Sequence, residues 1–253
     1  MKKKIRLGVN VDHVATLRQV RGGTTAYPDL LKMVQLSVKG GAEQITIHLR
    51  EDRRHIQDLD VQLLAEKCSV DLNLEMAVSD EIYKIGLKHQ PEWVCFVPEK
   101  RAELTTEGGL NVGKVEKNLA RMIHGFKKKS VRSSLFIEPS LPIIRKSAEL
   151  GAEAVEFHTG HWVLQSESTP RERATKEKIW QQLQEGAWLA ADLGLRVHVG
   201  HGLDFAHAKK IRALPHLVEA NIGHSLICYA LEWGLEESVR RMKKCLQGSE
   251  KRK

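Results

Sequence analysis

Apolar residues along the chain fall into short runs separated by longer segments of mixed polarity. Eight runs of four to seven residues have the composition and alternation of strands: 5–11, 44–49, 71–76, 93–97, 133–138, 154–158, 196–199 and 217–222. The segments between them mostly space their apolar residues as amphipathic helices do, for example at 30–38, 80–88, 143–150, 179–193 and 225–246. The pattern therefore predicts strands that alternate with helices.

This alternation, repeated eight times, predicts an α/β protein with a parallel sheet. The length of 253 residues suits a single (β/α)8 TIM barrel with extra helical and loop elements, which would occupy residues 1–253 as one domain. An open doubly wound sheet is the alternative, but no GxGxxG sequence follows the first predicted strand.

Two predicted connections are longer than a minimal barrel needs. Residues 98–112 include the sequence TTEGG, and residues 160–176 include SESTPRERATKEK. Long connections that follow strands are commonly lids, partner-binding segments or simply mobile loops. We expect both segments to be loops of this kind.

The net charge of +8 would be compatible with nucleic-acid binding, but its distribution argues otherwise. Basic runs at 2–4, 127–129, 243–244 and 251–253 lie at chain ends or predicted helix ends. Aromatic residues make up only 5% of the chain, and no base-stacking module is recognisable. A basic interior that binds a small phosphate is the simpler explanation.

The chain is expected to be soluble and cytoplasmic. No segment has the apolar length of a membrane span, and polar residues follow the basic N-terminus where a signal peptide would be apolar. The cysteines lack CxxC spacing and are expected to be reduced; they are Cys68, Cys95, Cys228 and Cys245.

Polar side chains collect on one face of the predicted strands, near the strand ends. In a TIM barrel alternate side chains point inward, and catalytic residues lie at the C-terminal strand ends. The predicted inward polar positions are Asn10, Asp12, Thr46, His48, Arg50, Asn73, Glu75, Ser134, Glu138, Glu156, His158, His198 and Asn221, with His201 just beyond its strand. Because burial of unpaired charge is costly, this concentration predicts an active site.

Several of these residues also have structural explanations. Asp12 suits the cap of the turn that follows the first strand. His158, His198 and Glu138 suit buried hydrogen-bond partners. The arginines of LREDRRH suit a solvated face that pairs with the neighbouring acids.

The sequence NIGHSLI, after the eighth predicted strand, is typical of a phosphate site. It places Gly223, His224 and Ser225 at a predicted helix N-terminus, where free N–H groups and the helix dipole attract an anion. An ordinary Ser225 N-cap explains the same residues equally well. Arg21 and Arg50 would suit a second anion as bidentate donors.

Seven motifs of the chain resemble the pyridoxine 5′-phosphate synthase family: GVNVDHVATLRQVRGG, TIHLREDRRHI, NLEMA, VPEKRAELTTEGGL, EFHTG, GHGL and NIGH. They follow the family order over nearly the whole chain. The resemblance implies a TIM barrel that condenses 3-amino-2-oxopropyl phosphate with 1-deoxy-D-xylulose 5-phosphate to give pyridoxine 5′-phosphate, inorganic phosphate and water. The amine comes from the substrate, so the implied chemistry needs no protein lysine, metal or cofactor.

The resemblance also implies catalytic roles. His48 and Glu75 match the positions of the general bases, and His201 matches that of the proton donor. Glu156 matches the transition-state stabiliser, a carboxylate that offsets iminium charge. Proton transfers near neutral pH suit histidine and a glutamate whose pKa is shifted.

Two sites for phosphorylated substrates are implied as well. The aminoketone phosphate is expected to contact Asn10, Arg21, Gly202, Gly223 and His224. The deoxyxylulose phosphate is expected to contact Asp12, His13, Arg50, His55 and Thr105. Because Thr105 lies in the long connection 98–112, we expect that connection to be a lid that keeps water from a reactive imine.

The chain departs from the family pattern at two places. His198 stands where the family often carries Asn, and its imidazole is a candidate to shift the pKa of His201 or to replace it as donor. The sequence RGG contains an additional glycine after Arg21, which changes the turn that positions this arginine.

Other functions are compatible with parts of the sequence. A metal-dependent barrel hydrolase would take its ligands from His48, Glu75, His158, His198 and His201. A class I aldolase would need a buried strand-end lysine, for which Lys100 is the nearest candidate. A basic nucleic-acid-binding protein has only the net charge in its favour.

Family members assemble as octamers, so the resemblance implies a homo-oligomer. Its partners would be two small phosphorylated substrates, with no nucleic acid and no membrane. Apolar residues expected at the surface, such as Trp162, Trp180 or Trp188, would mark the subunit contacts.

Overall fold

A computed structural model of the chain describes residues 4–99 and 108–248. Its strands are β1 (Arg6–Asn10), β2 (Gln44–His48), β3 (Asp71–Met76), β4 (Trp93–Phe96), β5 (Arg132–Ile137), β6 (Ala154–His158), β7 (Arg196–Gly200) and β8 (Leu217–Ile222). Its helices are α1 (Asp12–Gln19), α2 (Leu30–Gly40), α3 (Asp58–Lys67), α4 (Asp80–His89), α5 (Val112–Lys127), α6 (Leu141–Glu149), α7 (Gly160–Leu164), α8 (Pro170–Asp192), α9 (Phe205–Ile211), α10 (His224–Trp233) and α11 (Leu235–Gln247).

The eight strands form one closed parallel barrel. Each strand pairs with the next in sequence, and β1 pairs with β8 in the register Arg6↔Glu219 and Val9↔Ile222. The predicted TIM barrel is therefore confirmed, and the alternative of an open doubly wound sheet is wrong.

The two faces of the strands bury different chemistry. Apolar side chains at alternate positions, such as Leu7, Val9 and Ile47, are fully buried in the hydrophobic core that the strands share with the helices. Between them, Gln44 Nε2 donates to Glu219 Oε1 over 2.6 Å, which joins the inner faces of β2 and β8. The barrel interior therefore contains hydrogen-bonded polar side chains, as the strand patterns predicted.

The long helix predicted at 225–246 is in fact two helices. α10 ends at Trp233, and Gly234, with φ of +76°, begins the turn into α11. Glycine adopts such a conformation without the steric cost that other residues incur. The apolar periodicity continues across this break, so periodicity alone did not reveal it.

The prediction of a loop over 160–176 is wrong. α7 begins at Gly160, and α8 begins at Pro170, so ordered helices fill most of the segment. At the start of α8, Thr169 Oγ1 accepts from Glu172 N while the Glu172 carboxylate accepts from Thr169 N, which is a capping box. The sequence TPRE carried this signal, and proline at the first helical position agrees with it.

The expected exposure of the tryptophans is correct for one of the three. Trp188 is 55% exposed, whereas Trp162 and Trp180 are buried and pack against each other with ring centroids 5.3 Å apart. The latter two therefore stabilise the packing of α7 on α8 and are not surface contacts. None of the helices in the described residues is long and apolar enough to cross a membrane.

The C-terminal helix α11 covers the junction between the first and last strands. Lys243 Nζ and Gln247 Nε2 both donate to the carbonyl oxygen of Ile5, over 3.2 and 2.7 Å. α11 also packs closely on α2, where a Cβ on Gly40 would lie 2.6 Å from Glu236 O and 2.7 Å from Val239 Cβ. Only a residue without a side chain permits this approach.

Replacement of Gly40 by alanine is expected to reduce the free energy of unfolding by about 1–3 kcal/mol, because the added methyl group overpacks the α2–α11 contact. The matched control is Gly113→Ala at the exposed start of α5, where a Cβ meets nothing closer than 3.8 Å. Denaturant unfolding of both variants measures the difference. A Gly40→Ala protein as stable as the control would contradict this packing.

Candidate active site

A cavity of about 780 Å³ opens at the C-terminal ends of the strands. Its lining contains all the predicted site residues except Arg21 and Thr105: Asn10, Asp12, His13, His48, Arg50, His55, Glu75, Glu156, His201, Gly202, Gly223 and His224. The strand alternation therefore brought together residues from four strands, β1, β2, β3 and β6, and from the segments that follow β1, β2, β7 and β8.

The other two predicted residues do not belong to this lining as described. Arg21 is exposed in the turn after α1, where Gly22 and Gly23 both have positive φ. Thr105 lies outside the described residues, as do Lys100 and most of the predicted lid at 98–112.

Asp12, His48 and Glu75 form the centre of the cavity. One ligand atom from each lies within 4.8 Å of the others. Asp12, the first residue of α1, accepts the His48 N–H with Oδ1 and the side-chain amide of Asn10 with Oδ2. Asp12 therefore ties the ends of β1 and β2 together and does more than cap a turn.

Glu99 contacts the predicted site residue His48, and sequence reasoning missed it. Its Oε1 lies 2.9 Å from His48 Nε2, and its Oε2 accepts from Glu51 N. Although burial opposes it, the hydrogen bond with His48 holds the pKa of Glu99 below its ordinary value. The ionised carboxylate accepts the Nε2 proton, so the lone pair of a neutral His48 ring lies on Nδ1. Its place directly after the fourth strand, in VPEKR, was the available signal.

Glu156 lies inside the barrel beside β8. Its Oε2 accepts from Asn221 Nδ2 over 2.6 Å, and a Cβ on Gly200 would lie 2.0 Å from its Oε1. Burial, with a smaller contribution from the Glu219 charge, raises the pKa of Glu156 to about 7 despite the Asn221 hydrogen bond. A carboxyl group with this pKa exchanges protons near neutral pH.

Two further carboxyl groups face the same space. Burial and the neighbouring Glu156 and Asp12 carboxyls raise the pKa of Glu75 well above its ordinary value. Burial also raises the pKa of Asp12, although the His48 N–H donates to it. Like charges at close range in a poorly solvated cavity disfavour simultaneous ionisation, so a cation bound among these groups would be stabilised.

His201 follows β7 in an unusual backbone conformation. Its φ is +70°, in the left-handed region that non-glycine residues seldom occupy. Thr159 Oγ1 donates to the carbonyl oxygens of His201 and Gly200, over 2.6 and 2.9 Å. Thr159, in the motif EFHTG, thus holds the backbone that carries His201.

A helix N-terminus forms one wall of the cavity. α10 begins at His224. The preceding residue, Gly223, lies so close to β1 that a Cβ on this glycine would be 2.9 Å from Asn10 Cβ. Ser225 Oγ donates to Leu203 O instead of capping the helix. Among the described residues no side chain caps α10, so its first N–H groups can attract an anion, which favours the phosphate interpretation over the Ser N-cap.

Arg50 and His55, in the segment that follows β2, also line the cavity. Burial, followed by the charges of His48 and Arg50, lowers the pKa of His55 to about 4, so its ring is neutral at pH 7. Ile56 N donates to His55 Nδ1, which leaves the proton of that ring on Nε2. Arg50 contacts Glu99 and Asp52 at 3.8 and 3.5 Å. These residues offer one cationic and one neutral donor.

His198 does not compete with His201 as a donor. It is buried deeper in the barrel, 3.7 Å from Glu219 and in edge contact with the Trp93 ring. Burial and the charges of nearby arginines lower its pKa to about 3, so it is neutral at physiological pH. The histidine at this position, which departs from the family pattern, therefore lies in the barrel interior and does not act as the donor.

The ligand set expected for a metal hydrolase is not assembled. Among the residues that the structure describes, the group of three potential ligands is Asp12, His48 and Glu75. His158 Nδ1 instead pairs with Glu138 Oε1 at 2.8 Å, and His198 lies beside Glu219. The residues that would have extended the set are therefore engaged elsewhere.

Together these features define a TIM-barrel enzyme with titratable side chains and a helix N-terminus at the C-terminal end of the barrel. Residues 7–248 match the family described as pyridoxal phosphate biosynthesis protein PdxJ, and the chain belongs to this family. A pyridoxine 5′-phosphate synthase of Bdellovibrio bacteriovorus is 61% identical over 98% of this chain and 100% of its own length. One from Caulobacter vibrioides is 45% identical, over 97% and 96%.

Solved structures with lower identity share the fold. A 4-hydroxy-2-oxoglutarate aldolase is 16% identical, with a TM-score of 0.61 over 95% of this chain and 94% of its own. Phosphoribosylanthranilate isomerase from Thermotoga maritima is 8% identical, with a TM-score of 0.60 over 97% and 100%. At such identities the similarity extends to the barrel and not to the chemistry.

The raised pKa of Glu156 predicts a pH-dependent cost in stability. Between its ordinary value of 4.5 and about 7, the folded protein keeps a proton that the unfolded chain releases, so stability falls as pH rises through this window. Glu156→Gln should be more stable than wild type at pH 8, by up to about 3 kcal/mol. The advantage should disappear below about pH 4.5.

Denaturant unfolding at pH 5 and pH 8 measures this effect. Glu185→Gln, on the exposed side of α8, is the matched control and should behave as wild type at both pH values. A Glu156→Gln protein that loses stability at pH 8 would show that the ionised carboxylate is a net stabilising group.

Proposed function

We propose that this enzyme condenses 3-amino-2-oxopropyl phosphate with 1-deoxy-D-xylulose 5-phosphate to give pyridoxine 5′-phosphate, inorganic phosphate and water. Membership in a pyridoxal phosphate biosynthesis family and the relatives named pyridoxine 5′-phosphate synthase support this activity. The observation that carries the proposal is the cavity itself, where the carboxyl groups of Asp12, Glu75 and Glu156 and a helix N-terminus face the same space. An amine and a phosphate on one small substrate suit this combination.

The aminoketone phosphate is assigned to the side of the cavity formed by β1, β7 and α10. Its phosphate would accept from the first N–H groups of α10 near Gly223 and His224, with Asn10 and Gly202 beside it. Its amine would then point toward the carboxyl groups of Glu75 and Glu156. A bound ammonium or iminium group would favour ionisation of these carboxyls and prepare them to accept protons.

The deoxyxylulose phosphate is assigned to the side that contains Arg50 and His55, with Asp12 and His13 nearby. Arg50 supplies a permanent positive charge, and the neutral His55 donates from Nε2. Arg21 and Thr105 remain predicted contacts of the substrates; Arg21 is exposed after α1, and Thr105 lies outside the described residues.

The reaction itself requires proton transfers at several atoms. The substrate amine attacks the ketone of deoxyxylulose phosphate, and loss of water from the carbinolamine gives an imine. We assign His48 and Glu75 as the bases that remove substrate protons during dehydration, phosphate elimination and ring closure. His201 would donate protons to the leaving oxygen atoms, and Glu156 would stabilise the iminium charge.

Several properties beyond the chemistry belong to the same proposal. The chain is expected to act as one catalytic domain over residues 1–253, in the cytoplasm, without nucleic-acid or membrane partners. We also expect a homo-oligomer, an octamer by family resemblance.

Product formation from both substrates tests the proposal directly. The purified protein is mixed with the two phosphates, each is omitted in turn, and inorganic phosphate is followed together with the absorbance of the pyridine. Both signals should appear only when both substrates are present. A folded protein that releases no phosphate under these conditions would overturn the proposal.

Replacement of Glu75 by glutamine should lower kcat by about 10²–10⁴-fold, because the amide occupies the same space but cannot accept a proton. KM for both substrates should change little. Steady-state kinetics on folded protein measure the effect, with Glu177→Gln at the exposed surface of α8 as the control. Full activity of the Glu75→Gln enzyme would remove this residue from the catalytic assignment.

Gly223→Ala tests the phosphate assignment. The added methyl group would meet Asn10 and push the start of α10 away, so about 1.5–3 kcal/mol of charge-assisted hydrogen bonding is lost. KM for the aminoketone phosphate should rise by roughly tenfold or more, while KM for deoxyxylulose phosphate stays within about twofold. Gly113→Ala is the matched control. An equal rise in both KM values would indicate a general distortion instead.

A further inference from the structure

A second, smaller cavity of about 550 Å³ lies beside the first, against the ends of β5, β6 and β7. Its walls include His158, His161 and His201, together with Phe136 and Gly160. Of these histidines, His201 is the proposed proton donor. His158 has no part in the reaction as described above, although it lies between the donor and a buried carboxylate.

The imidazoles of His158 and His201 are in contact. Their ring centroids are 5.1 Å apart and their planes meet at 56°. A Cβ on Gly160 would lie 2.5 Å from His158 Nε2 and 3.2 Å from His201 Cδ2, so the absent side chain allows both rings to approach one point. Phe136 packs its ring against both, at 5.3 and 6.3 Å. The His158 ring thus forms a wall for the His201 ring.

His158 is itself held in one orientation. Its Nδ1 lies 2.8 Å from Glu138 Oε1, which also accepts from Gly109 N over 2.9 Å. Both groups are largely buried, with side-chain exposures of 10% for His158 and 8% for Glu138. With the carboxylate as acceptor, Nδ1 carries the proton and Nε2 faces Gly160. A carboxylate that orients an imidazole from behind is a recurrent arrangement in catalytic sites.

The backbone next to the two rings is also held by a contact between β6 and the segment after β7. Thr159, the neighbour of His158, donates to the carbonyl oxygen of His201. Because the positive φ of His201 is sparsely populated by non-glycine residues, its conformation depends on such external contacts. Two consecutive residues at the end of β6 therefore contact His201. The Thr159 hydroxyl contacts the His201 backbone, and the His158 ring contacts the His201 ring.

We propose that His158 is a positioning residue for His201: fixed by Glu138, it holds the His201 imidazole in the orientation from which a proton is donated to substrate. The inference rests on the proposed function, in which His201 is the donor. In terms of the sequence motifs, His158 and Thr159 of EFHTG orient His201 of GHGL.

The electrostatic environment agrees with this geometry. Partial desolvation of the His201 ring by its neighbours, and then the charge of His158, lower the pKa of His201. Among the described residues, the titratable groups near His201 are His158 of β6, His161 of α7, Glu138 behind His158, and Glu156, whose carboxyl lies against Gly200. Removal of the His158 imidazole should therefore raise the pKa of His201.

The test uses His158→Asn in the full-length enzyme. The asparagine amide can take the place of Nδ1–H on Glu138, while the ring that touches His201 is removed. We expect kcat to fall by about tenfold with KM values within about twofold, as for a misplaced general acid. The alkaline limb of the kcat profile should move to higher pH, by roughly half a unit. His124→Asn, at the exposed surface of α5, is the matched control.

A readout without turnover complements the kinetics. The NMR titration of the His201 Cε1–H signal, assigned by its loss in His201→Gln, should shift to higher pH in His158→Asn. Gly160→Ala provides an independent variant, because it keeps every titratable group but drives the two rings apart. It should also lower kcat with little effect on KM. If His158→Asn does not fold, Gly160→Ala decides the matter.

The outcomes separate this inference from the proposed function. The role of His158 would be overturned if Gly160→Ala and His158→Asn keep the wild-type kcat, pH profile and His201 titration. If His201→Gln is slow in the same assay, His201 remains the donor and only the role of His158 is rejected. A fast His201→Gln enzyme would instead show that the donor was assigned wrongly. Absence of product with the wild-type protein would reject the reaction itself.

Discussion

Carboxyl groups buried inside the barrel are the constraint on which the rest of this structure depends. Charge in a poorly solvated interior is costly unless it is paired or hydrogen-bonded. Glu219 is therefore matched with Gln44 and with the guanidinium of Arg6, and Glu156 with the amide of Asn221. A barrel filled with aliphatic side chains would need none of these partners. The polar layer is thus a requirement that follows from placing acids there.

The same constraint explains two glycines on the inner faces of strands. A Cβ on Gly8 would lie 1.8 Å from Asn221 Oδ1, and one on Gly200 would lie 2.0 Å from Glu156 Oε1. Space for the hydrogen-bonded pair is obtained by omitting neighbouring side chains. The barrel thereby holds a carboxyl group, that of Glu156, whose pKa of about 7 suits proton transfer. Burial of this group lowers the stability of the folded protein, which is typical of functional sites.

The sequence predicted the parts of this protein that repeat and missed those that depend on single contacts. Alternation with period two identified the strands, and with it the inward positions of His48, Glu75 and Glu156, because strand geometry determines which face a side chain occupies. Glu99 lies beyond its strand, where no period applies, so only the fold brings it to His48. Arg21 likewise follows a helix that was not predicted. The burial of Trp162 and Trp180 depends on how α7 meets α8, which no local pattern specifies.

Closure of the barrel by α11 has a consequence for how the chain reaches its native state in the cell. β1 leaves the ribosome before its partner β8 and before the helix that binds the Ile5 carbonyl. Until β8 and α11 have been synthesised, β1 and β7 remain open edges of an incomplete sheet, which are surfaces prone to non-native pairing. Cooperative closure is therefore a late event for the nascent chain, and protection of its early strands falls to transient local structure or to chaperones.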